Sequence, residues 1–212
     1  EKMRIVAEGQ QLVRVDWDAD KLVNQNLSQV LKNVFRIIEN VDGVIVSDYD
    51  KGICSEVVVS EVISQAKKLK IPTFIDPKGA NWNKYYGASI ITPNLKEAEE
   101  VVGRGLLTDE DVESAGREIC NELSLDSCLI TRGANGMSFI GKDKKFHVSS
   151  VAQEIYDVSG AGDTVIASFA SGIVAGFDPE TATRFANKAA GIVVGHIGTT
   201  AIRVSELLGG NI

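Results

Sequence analysis

Residues 43–76 read GVIVSDYDKGICSEVVVSEVISQAKKLKIPTFID, and two short apolar runs flank a helical pattern in this stretch. Apolar and polar residues hardly alternate in the runs Gly43-Val-Ile-Val-Ser47 and Thr73-Phe-Ile-Asp76. This pattern is expected of strands that are buried on both faces of a parallel sheet. Residues 56–69, between them, carry the helical pattern and end in basic residues that suit a helix C-terminus. The stretch therefore predicts a βαβ unit.

Predicted strands and helices continue to alternate on both sides of this unit. The further predicted elements are helices at residues 19–39, from Asn94, from near Asp109, at 160–176 and at 179–196, and strands at Ser89-Ile-Ile-Thr92 and Ser127-Cys-Leu-Ile-Thr131. Strands that alternate with helices in this way are typical of a parallel sheet. We predict an α/β fold with a mainly parallel, doubly wound sheet and helices on both of its faces.

The pattern changes between residues 137 and 156. Two short strands, Met137-Ser-Phe-Ile140 and Lys145-Phe-His-Val148, and a third at residues 152–156 are bounded by Asn135-Gly136 and Gly141-Lys-Asp. Both of these boundary sequences are turn signals of hairpins. We therefore predict a small antiparallel insert beside the parallel sheet.

The front of the chain carries two more short strands, Arg4-Ile-Val-Ala7 and Leu12-Val-Arg-Val-Asp16. No repeat or linker interrupts the rest. We predict a single domain at residues 1–212, in which strands of residues 1–17 lie beside a core of residues 18–212.

The overall charge of the chain is negative, with 22 Lys and Arg residues against 29 Asp and Glu and a net charge of −7. Nucleic acid is therefore not expected as a partner, because binding to a phosphate backbone needs clustered positive charge. No apolar run reaches the roughly 18 residues of a membrane span. The chain opens without an apolar leader segment, and its three cysteines form no CxxC pair. We predict a protein of the cytoplasm that does not bind a membrane.

The strongest functional signal is Asp157-Val-Ser-Gly-Ala-Gly-Asp163, which lies between a strand and an apolar helix. Small residues here let backbone N–H groups converge at a helix N-terminus, where the helix dipole favours an anion such as a transferring phosphoryl group. Asp163 would lie beside that anion, where it is suited to deprotonate an acceptor hydroxyl. The structural alternative is that Ser159 or Asp157 caps the helix and that the glycines permit tight packing.

A second signal is Thr92-Pro-Asn94-Leu-Lys-Glu97, where a strand ends and a helix begins. Asn94 and Glu97 have the spacing of a capping box. An Asn and a Glu one turn apart at the end of a parallel strand also suit a hydrated Mg²⁺, which prefers oxygen ligands and keeps several waters. The two interpretations are compatible.

Three motifs together resemble the ribokinase-like sugar kinases, in the same order and at suitable separations: Asn94-x-x-Glu97, Thr131-Arg-Gly-Ala-Asn-Gly136 and Asp157-Val-Ser-Gly-Ala-Gly-Asp163. Three further stretches resemble the D-glycero-β-D-manno-heptose-7-phosphate kinases of ADP-heptose synthesis: Gln10-Gln-Leu-Val-Arg-Val-Asp16, Ser47-Asp-Tyr-Asp-Lys-Gly52 and Asp76-Pro-Lys-Gly79. The resemblance covers essentially all 212 residues and implies the ribokinase-like version of the α/β fold.

The resemblance implies a role for each matching position. Asp163 matches the catalytic base, and the anion hole matches Gly160, Ala161 and Gly162. Asn94 and Glu97 match the motif associated with Mg²⁺ and phosphate placement. The nucleotide site matches Thr131, Gly133 and Gly136 in one loop and Asn187 beside the adenine.

The resemblance also suggests where two other ligands would bind. In relatives, the positions of Asp157 and Ser159 surround a monovalent cation such as K⁺, together with carbonyls near Val193, His196 and Gly198. The basic residues in the stretches shared with the heptose kinases are Arg14, Lys51 and Lys78. One or more of these three would bind the sugar 7-phosphate as a charge-assisted donor, and a solvated surface side chain is the alternative for each.

The activity that the resemblance implies is ATP-dependent and Mg²⁺-assisted. The γ-phosphoryl group would pass to the anomeric hydroxyl of heptose 7-phosphate and give the 1,7-bisphosphate, a step towards ADP-heptose and the lipopolysaccharide core. A kinase of another sugar or nucleoside and a non-catalytic nucleotide-binding remnant are the alternatives. The family's N-terminal sugar-binding part has no counterpart here, so we expect a fragment without appreciable kinase activity, whose open strand edges favour a homodimer.

Overall fold

The computed structural model of the chain describes residues 2–7, 10–16, 27–152, 156–196, 198 and 200–207. A six-stranded sheet in the order β3-β4-β5-β6-β7-β8 forms its centre. Its strands are β3 (Val44–Ser47), β4 (Thr73–Asp76), β5 (Ile90–Ile91), β6 (Ser127–Thr131), β7 (Met137–Gly141) and β8 (Lys145–Val148). Strands β3 to β6 are parallel, and β6 to β8 are antiparallel.

Helices cover both faces of this sheet. They are α1 (Leu27–Ile38), α2 (Glu56–Leu69), α3 (Leu95–Val102), α4 (Asp109–Leu123), α5 (Ala161–Val174), α6 (Pro179–Val193) and α7 (Val204–Leu207), with short 3-10 helices at Asn83–Tyr85 and Gly133–Asn135. Helices α2 and α4 pack against one face, and α5 and α6 against the other. The predicted fold class, a mainly parallel sheet between helices with an antiparallel insert, is therefore confirmed.

Burial on both faces explains why β4 and β5 read as uniformly apolar, whereas β3 lies at the edge of the sheet and was wrongly expected to be buried on both faces, since Ile45 is 45% exposed. In β4, Ile75 packs into the core on the side of α2 and α4, whereas the adjacent Phe74 packs into the core on the side of α5 and α6. Ile91 and Ile90 divide in the same way in β5. Successive side chains of a strand point to opposite faces, so both faces of the sheet require apolar residues.

The two front strands form a separate antiparallel sheet, β1 (Lys2–Ala7) with β2 (Gln10–Asp16). Met3, Ile5 and Val13 are about half exposed on it. The predicted helix at residues 19–39 is described only as α1, and residues 19–26 lie outside the described part of the chain. The same holds for residues 153–155 of the strand predicted at 152–156. None of the helices in the described ranges is long and apolar enough to cross a lipid bilayer.

Candidate active site

The carboxyl ends of the parallel strands bring the functional motifs to one edge of the sheet. β3 ends at Ser47, β4 at Asp76 and β6 at Thr131. Asn94, just after β5, forms a parallel bridge with Thr131, and the Thr131 amide donates to the Pro93 carbonyl at 2.9 Å. Ligands of open α/β sheets bind at this edge.

Helix α5 places Asp163 in its first turn. The residue before the helix is Gly160, which has φ +81° and no side chain with which to cap the helix. A methyl group added at Gly162 would meet no atom within 4 Å, so the first turn of α5 faces open space. The Ala161 amide donates to the Val158 carbonyl at 3.2 Å, but no side chain caps the helix. A helix N-terminus without a side-chain cap is suited to bind an anion.

The structural alternative for this motif was capping by Asp157 or Ser159, and the structure uses Asp157 differently. Its Oδ1 accepts the Ser159 amide at 2.8 Å, and its Oδ2 accepts the Gly198 amide at 3.2 Å. The carboxylate therefore ties the loop before α5 to Gly198. Of the two residues predicted at the monovalent cation site, Asp157 contacts Gly198, and Ser159 contacts Asp157.

The other carbonyls expected at that cation site lie at the end of α6. The Val193 carbonyl accepts the His196 amide at 3.1 Å, and the Val194 carbonyl accepts the Tyr156 amide at 2.8 Å. Residues 197 and 199, the neighbours of Gly198, lie outside the described part. The cation site therefore stays a prediction.

The Asp163 carboxylate is in contact with a tyrosine. Tyr49 Oη lies 3.0 Å from Asp163 Oδ1 and 3.3 Å from Oδ2. Tyr49 belongs to the loop that follows β3, and its side chain reaches across the sheet edge to α5. Tyr49 belongs to the stretch Ser47-Asp-Tyr-Asp-Lys-Gly52 that resembles the heptose kinases, but no local pattern marked it as a site residue.

Asp76 is a second residue that the sequence analysis left without a role. Burial raises the pKa of the Asp76 carboxyl to about 7, and the negative charges of Glu97, Asp163 and Asp48 act in the same direction, against Lys78. The signal in the sequence was a carboxylate at the last position of a buried parallel strand. Such a raised pKa shows that acidic groups converge here in a partly desolvated environment.

Asn94 and Glu97 form the predicted capping box. Asn94 Oδ1 accepts the Glu97 amide at 2.9 Å, and Glu97 Oε2 accepts the Asn94 amide at 3.0 Å. The other oxygen of Glu97, Oε1, accepts Lys78 Nζ at 2.8 Å. The capping interpretation is therefore confirmed, and the carboxylate is held in one orientation.

A metal ion at this edge would find few protein ligands. Among the described residues, no group of three His, Cys, Asp or Glu side chains has an arrangement that would hold a metal. The carboxylates of Asp76 and Glu97 influence each other electrostatically at this edge, and their oxygen donors suit Mg²⁺. Mg²⁺ retains several waters and is commonly held by one or two carboxylates plus substrate phosphates, so the donor set fits it.

The predicted nucleotide residues line one pocket of about 220 Å³. The predicted residues in its wall are Thr131, Gly133, Gly136, Ala161, Gly162 and Asn187. Apolar side chains, including Met137, Val165 and Val194, supply much of the remaining wall. A narrow, largely apolar pocket beside a helix N-terminus is suited to a flat base whose phosphates reach the helix.

A buried amide side chain and a glycine backbone shape this pocket. Asn187 is 4% exposed, and its Nδ2 donates to the Ser149 carbonyl at 2.7 Å, which fixes the pocket wall to α6. Gly136 has φ +81°, and a Cβ there would lie 1.9 Å from the Val148 carbonyl oxygen. The backbone geometry therefore requires glycine at position 136.

The structure describes two of the three basic side chains assigned to a sugar phosphate. Lys78 is exposed at the sheet edge and bound to Glu97. Lys51 is exposed in the loop after β3. The Arg14 side chain lies outside the described part of the chain, although its backbone belongs to β2.

Comparison with known proteins extends these observations. The family profile described as "pfkB family carbohydrate kinase" matches residues 2–206. "Bifunctional protein HldE" of Vibrio parahaemolyticus is 41% identical over 207 residues, which cover 97% of this chain and 43% of that protein. The HldE protein of Mesorhizobium japonicum is 40% identical over 209 residues, which cover 98% of this chain and 42% of that protein. The chain thus spans less than half the length of these curated relatives.

Two solved structures show the same fold. Arabidopsis thaliana ribokinase complexed with ribose and ATP superposes with a TM-score of 0.71 and 26% identity over 79% of this chain and 54% of that one. Escherichia coli phosphofructokinase-2 in complex with potassium superposes with a TM-score of 0.82 and 19% identity over 98% of this chain and 68% of that one.

Proposed function

Because this chain belongs to the pfkB family of carbohydrate kinases, we propose that the native polypeptide that carries it transfers the γ-phosphoryl group of ATP to the anomeric hydroxyl of D-glycero-β-D-manno-heptose 7-phosphate. The observation that carries the proposal is the position of Asp163: it lies in the first turn of α5, next to the pocket lined by Thr131, Gly136 and Asn187. A nucleotide in that pocket would present its phosphates to the base.

The chain's own groups have distinct roles in this proposal. Asp163 accepts the proton of the sugar hydroxyl while the hydroxyl oxygen bonds to the γ-phosphorus. The bond from phosphorus to the ADP oxygen breaks in the same transfer. The amides of Gly160, which precedes α5, and of Ala161 and Gly162 in its first turn stabilise the charge that develops on the phosphoryl oxygens. Neither role requires a covalent enzyme intermediate.

The metal and the nucleotide are assigned by residue. Asp76, Glu97 and Asn94, the N-cap residue of α3, would hold a hydrated Mg²⁺. The bound ion would neutralise charge on the phosphates. Support for ATP comes from the resemblance of the Thr131 to Gly136 loop and from the fold shared with a ribokinase solved with ATP. Four further expectations remain predictions: the K⁺ site at Asp157 and Ser159, the homodimer, the location in the cytoplasm and the division of the domain at residue 17.

The heptose acceptor rests on narrower support. It comes from the stretches at residues 10–16, 47–52 and 76–79, two of which end or begin at the sheet edge that carries Asp163. The 41% identity to HldE is consistent with it. Lys51 and Lys78 stand on this edge as the donors proposed for the 7-phosphate.

The first test is nucleotide binding by the 212-residue chain. Calorimetry with ATP and with ADP, each with Mg²⁺, should show saturable binding, and the Gly136→Ala chain is expected to bind neither. A folded sample that binds no nucleotide at millimolar concentration would remove the proposal.

The acceptor is tested in the native polypeptide that carries this sequence. ADP release is compared for heptose 7-phosphate, fructose 6-phosphate, ribose and adenosine, and ³¹P NMR identifies the product. We expect a 1,7-bisphosphate from the heptose and a clear preference for that sugar. A preference for another acceptor would retain the kinase and overturn the heptose assignment, whereas nucleotide binding without transfer to any acceptor would favour the non-catalytic alternative.

A further inference from the structure

Tyr49 stands directly in front of the proposed base. Its phenol oxygen is within hydrogen-bond distance of both Asp163 oxygens, 3.0 Å from Oδ1 and 3.3 Å from Oδ2. A donor shared between the two oxygens of a carboxylate lies at the open end of that group. An acceptor hydroxyl must come within about 2.6–3.2 Å of the base that takes its proton. The phenol therefore occupies the approach between the two carboxylate oxygens, which an incoming hydroxyl would otherwise use.

The phenol remains a hydrogen-bond donor at neutral pH. The neighbouring Ser47 side chain lowers the pKa of Tyr49, but partial burial and the adjacent Asp163 carboxylate raise it by more, so the net shift is upward. A protonated phenol at this distance donates to the carboxylate and is a poor nucleophile. Tyr49 thus blocks the base without competing for the phosphoryl group.

The position of Tyr49 also allows it to move. Its side chain is 54% exposed and extends from the loop between β3 and α2, where Asp50 adopts a left-handed φ of 54°. More than half of this residue already faces solvent, so turning the ring outward would expose little additional surface. The hydrogen bond to Asp163 is therefore a contact that a ligand of moderate affinity can replace.

A base beside a bound nucleotide needs such protection because water is a competing acceptor. In that side reaction the water oxygen bonds to the γ-phosphorus, the bond from phosphorus to the ADP oxygen breaks, and the proton goes to Asp163, which yields ADP and inorganic phosphate. A sugar phosphate brings binding energy from groups remote from the reacting hydroxyl, whereas a water molecule brings none.

We propose that Tyr49 is a specificity-determining residue: it covers Asp163 until the sugar acceptor displaces it, and so keeps water from the base. This inference rests on the proposed function, because it assigns Asp163 as the base and ATP as the donor. It adds a residue from the loop after β3 to the residues that govern the choice of acceptor.

The test is sugar-free ATP hydrolysis by the 212-residue chain. Tyr49→Phe keeps the ring and removes only the hydroxyl. Loss of a hydrogen bond of ordinary net strength should raise ADP release about 3- to 10-fold. Adding Asp163→Asn should abolish the increase. Tyr86→Phe is the matched control, since Tyr86 is an exposed tyrosine outside the site, and it should leave the rate unchanged.

A second measurement examines the contact itself. Ultraviolet titration of tyrosine ionisation, with Tyr49→Phe as the reference, isolates the Tyr49 signal, and Asp163→Asn should lower the pKa of Tyr49 because it removes the adjacent negative charge. An unchanged Tyr49 titration would show that the contact does not exist in solution and would overturn the inference.

The outcomes distinguish failure of the Tyr49 inference from failure of the proposed function. If ATP binds and Tyr49→Phe hydrolyses it no faster than the wild type, the Tyr49 inference is wrong while the kinase proposal stands. Absence of hydrolysis in both proteins with ATP bound has the same meaning, because another feature then excludes water. If ATP does not bind to the wild type, the proposed function fails and takes the Tyr49 inference with it.

Discussion

Lys78 Nζ lies 2.8 Å from Glu97 Oε1, so a cation assigned to the sugar phosphate is bound to a carboxylate assigned to Mg²⁺. The Lys78 side chain is 54% exposed and that of Glu97 is 15% exposed. The hydrogen bond to Glu97 raises the pKa of Lys78, which stays charged at neutral pH. The two assigned ligand sites are therefore coupled through one ion pair.

Lys78→Met should strengthen Mg²⁺ binding in the presence of ATP. The change removes the cation that offsets the charge of Glu97, and an exposed ion pair of this kind corresponds to about a two- to fivefold change in affinity. The measurement is an Mg²⁺ titration at fixed ATP, followed by calorimetry. Lys96→Met is the control, because Lys96 precedes Glu97 on α3 and is exposed. An unchanged Mg²⁺ requirement in Lys78→Met would show that the ion pair does not influence the metal.

Asp163→Asn should lower kcat by at least about 100-fold and leave nucleotide affinity nearly intact, because the amide is isosteric but cannot take the proton. Turnover is measured with heptose 7-phosphate in the native polypeptide that carries this sequence. ATP binding, measured by calorimetry, is the control. Wild-type turnover in this variant would mean that Asp163 is only a helix N-terminal residue.

Asp76→Asn should stabilise the metal-free chain at pH 8 and have little effect at pH 4. The folded pKa of Asp76 is about 7, above its ordinary value of 3.8. Between these values the folded chain holds a proton that the unfolded chain releases, so the contribution of Asp76 to stability falls as pH rises from about 4 to 7. The variant should gain at least about 2 °C in Tm at pH 8.

The measurement for Asp76 is thermal unfolding across this pH range in the presence of a chelator. Asp143→Asn serves as the control, since Asp143 lies in the exposed turn between β7 and β8. A difference in Tm between Asp76→Asn and wild type that does not grow with pH would contradict the prediction.

Gly136→Ala should reduce the free energy of unfolding by at least about 3 kcal/mol, because left-handed backbone strain adds to a severe clash. The added Cβ would lie 1.9 Å from the Val148 carbonyl oxygen. Gly133→Ala is the matched comparison in the same loop: its φ is +56°, but its Cβ would meet nothing within 4 Å. That change should cost only about 1–2 kcal/mol. Urea unfolding measures both, and equal losses would show that the clash is relieved by backbone movement.

Lys84→Met should destabilise the chain by about 3–5 kcal/mol, because it leaves the buried Asp48 without its cation. Asp48 is 3% exposed, forms an ion pair with Lys84 and accepts Tyr85 Oη at 2.8 Å. The double variant Asp48→Asn with Lys84→Met should recover part of the loss, since no charge is then buried. Urea unfolding measures both variants, and a single-variant loss below about 1 kcal/mol would contradict the prediction.

The sequence alone predicted the fold because its signals are local. In residues 43–76 the switch between apolar runs and helical spacing is visible without knowledge of any distant contact. The Asn135-Gly136 turn likewise predicted the start of the antiparallel insert, which the structure forms as β7 and β8. Asn94 and Glu97 are three residues apart, so their capping box was also predictable.

The tertiary structure alone decided which polar groups meet. Tyr49 and Asp163 are 114 positions apart, and Asp48 and Tyr85 are 37 apart. Their contacts depend on the order of the strands in the sheet, which brings the loops after β3 and β4 to the first turn of α5. The raised pKa of Asp76 has the same origin, because burial and the charges around it come from segments distant in sequence. A motif specifies a residue type locally, whereas distance and desolvation are properties of the folded chain.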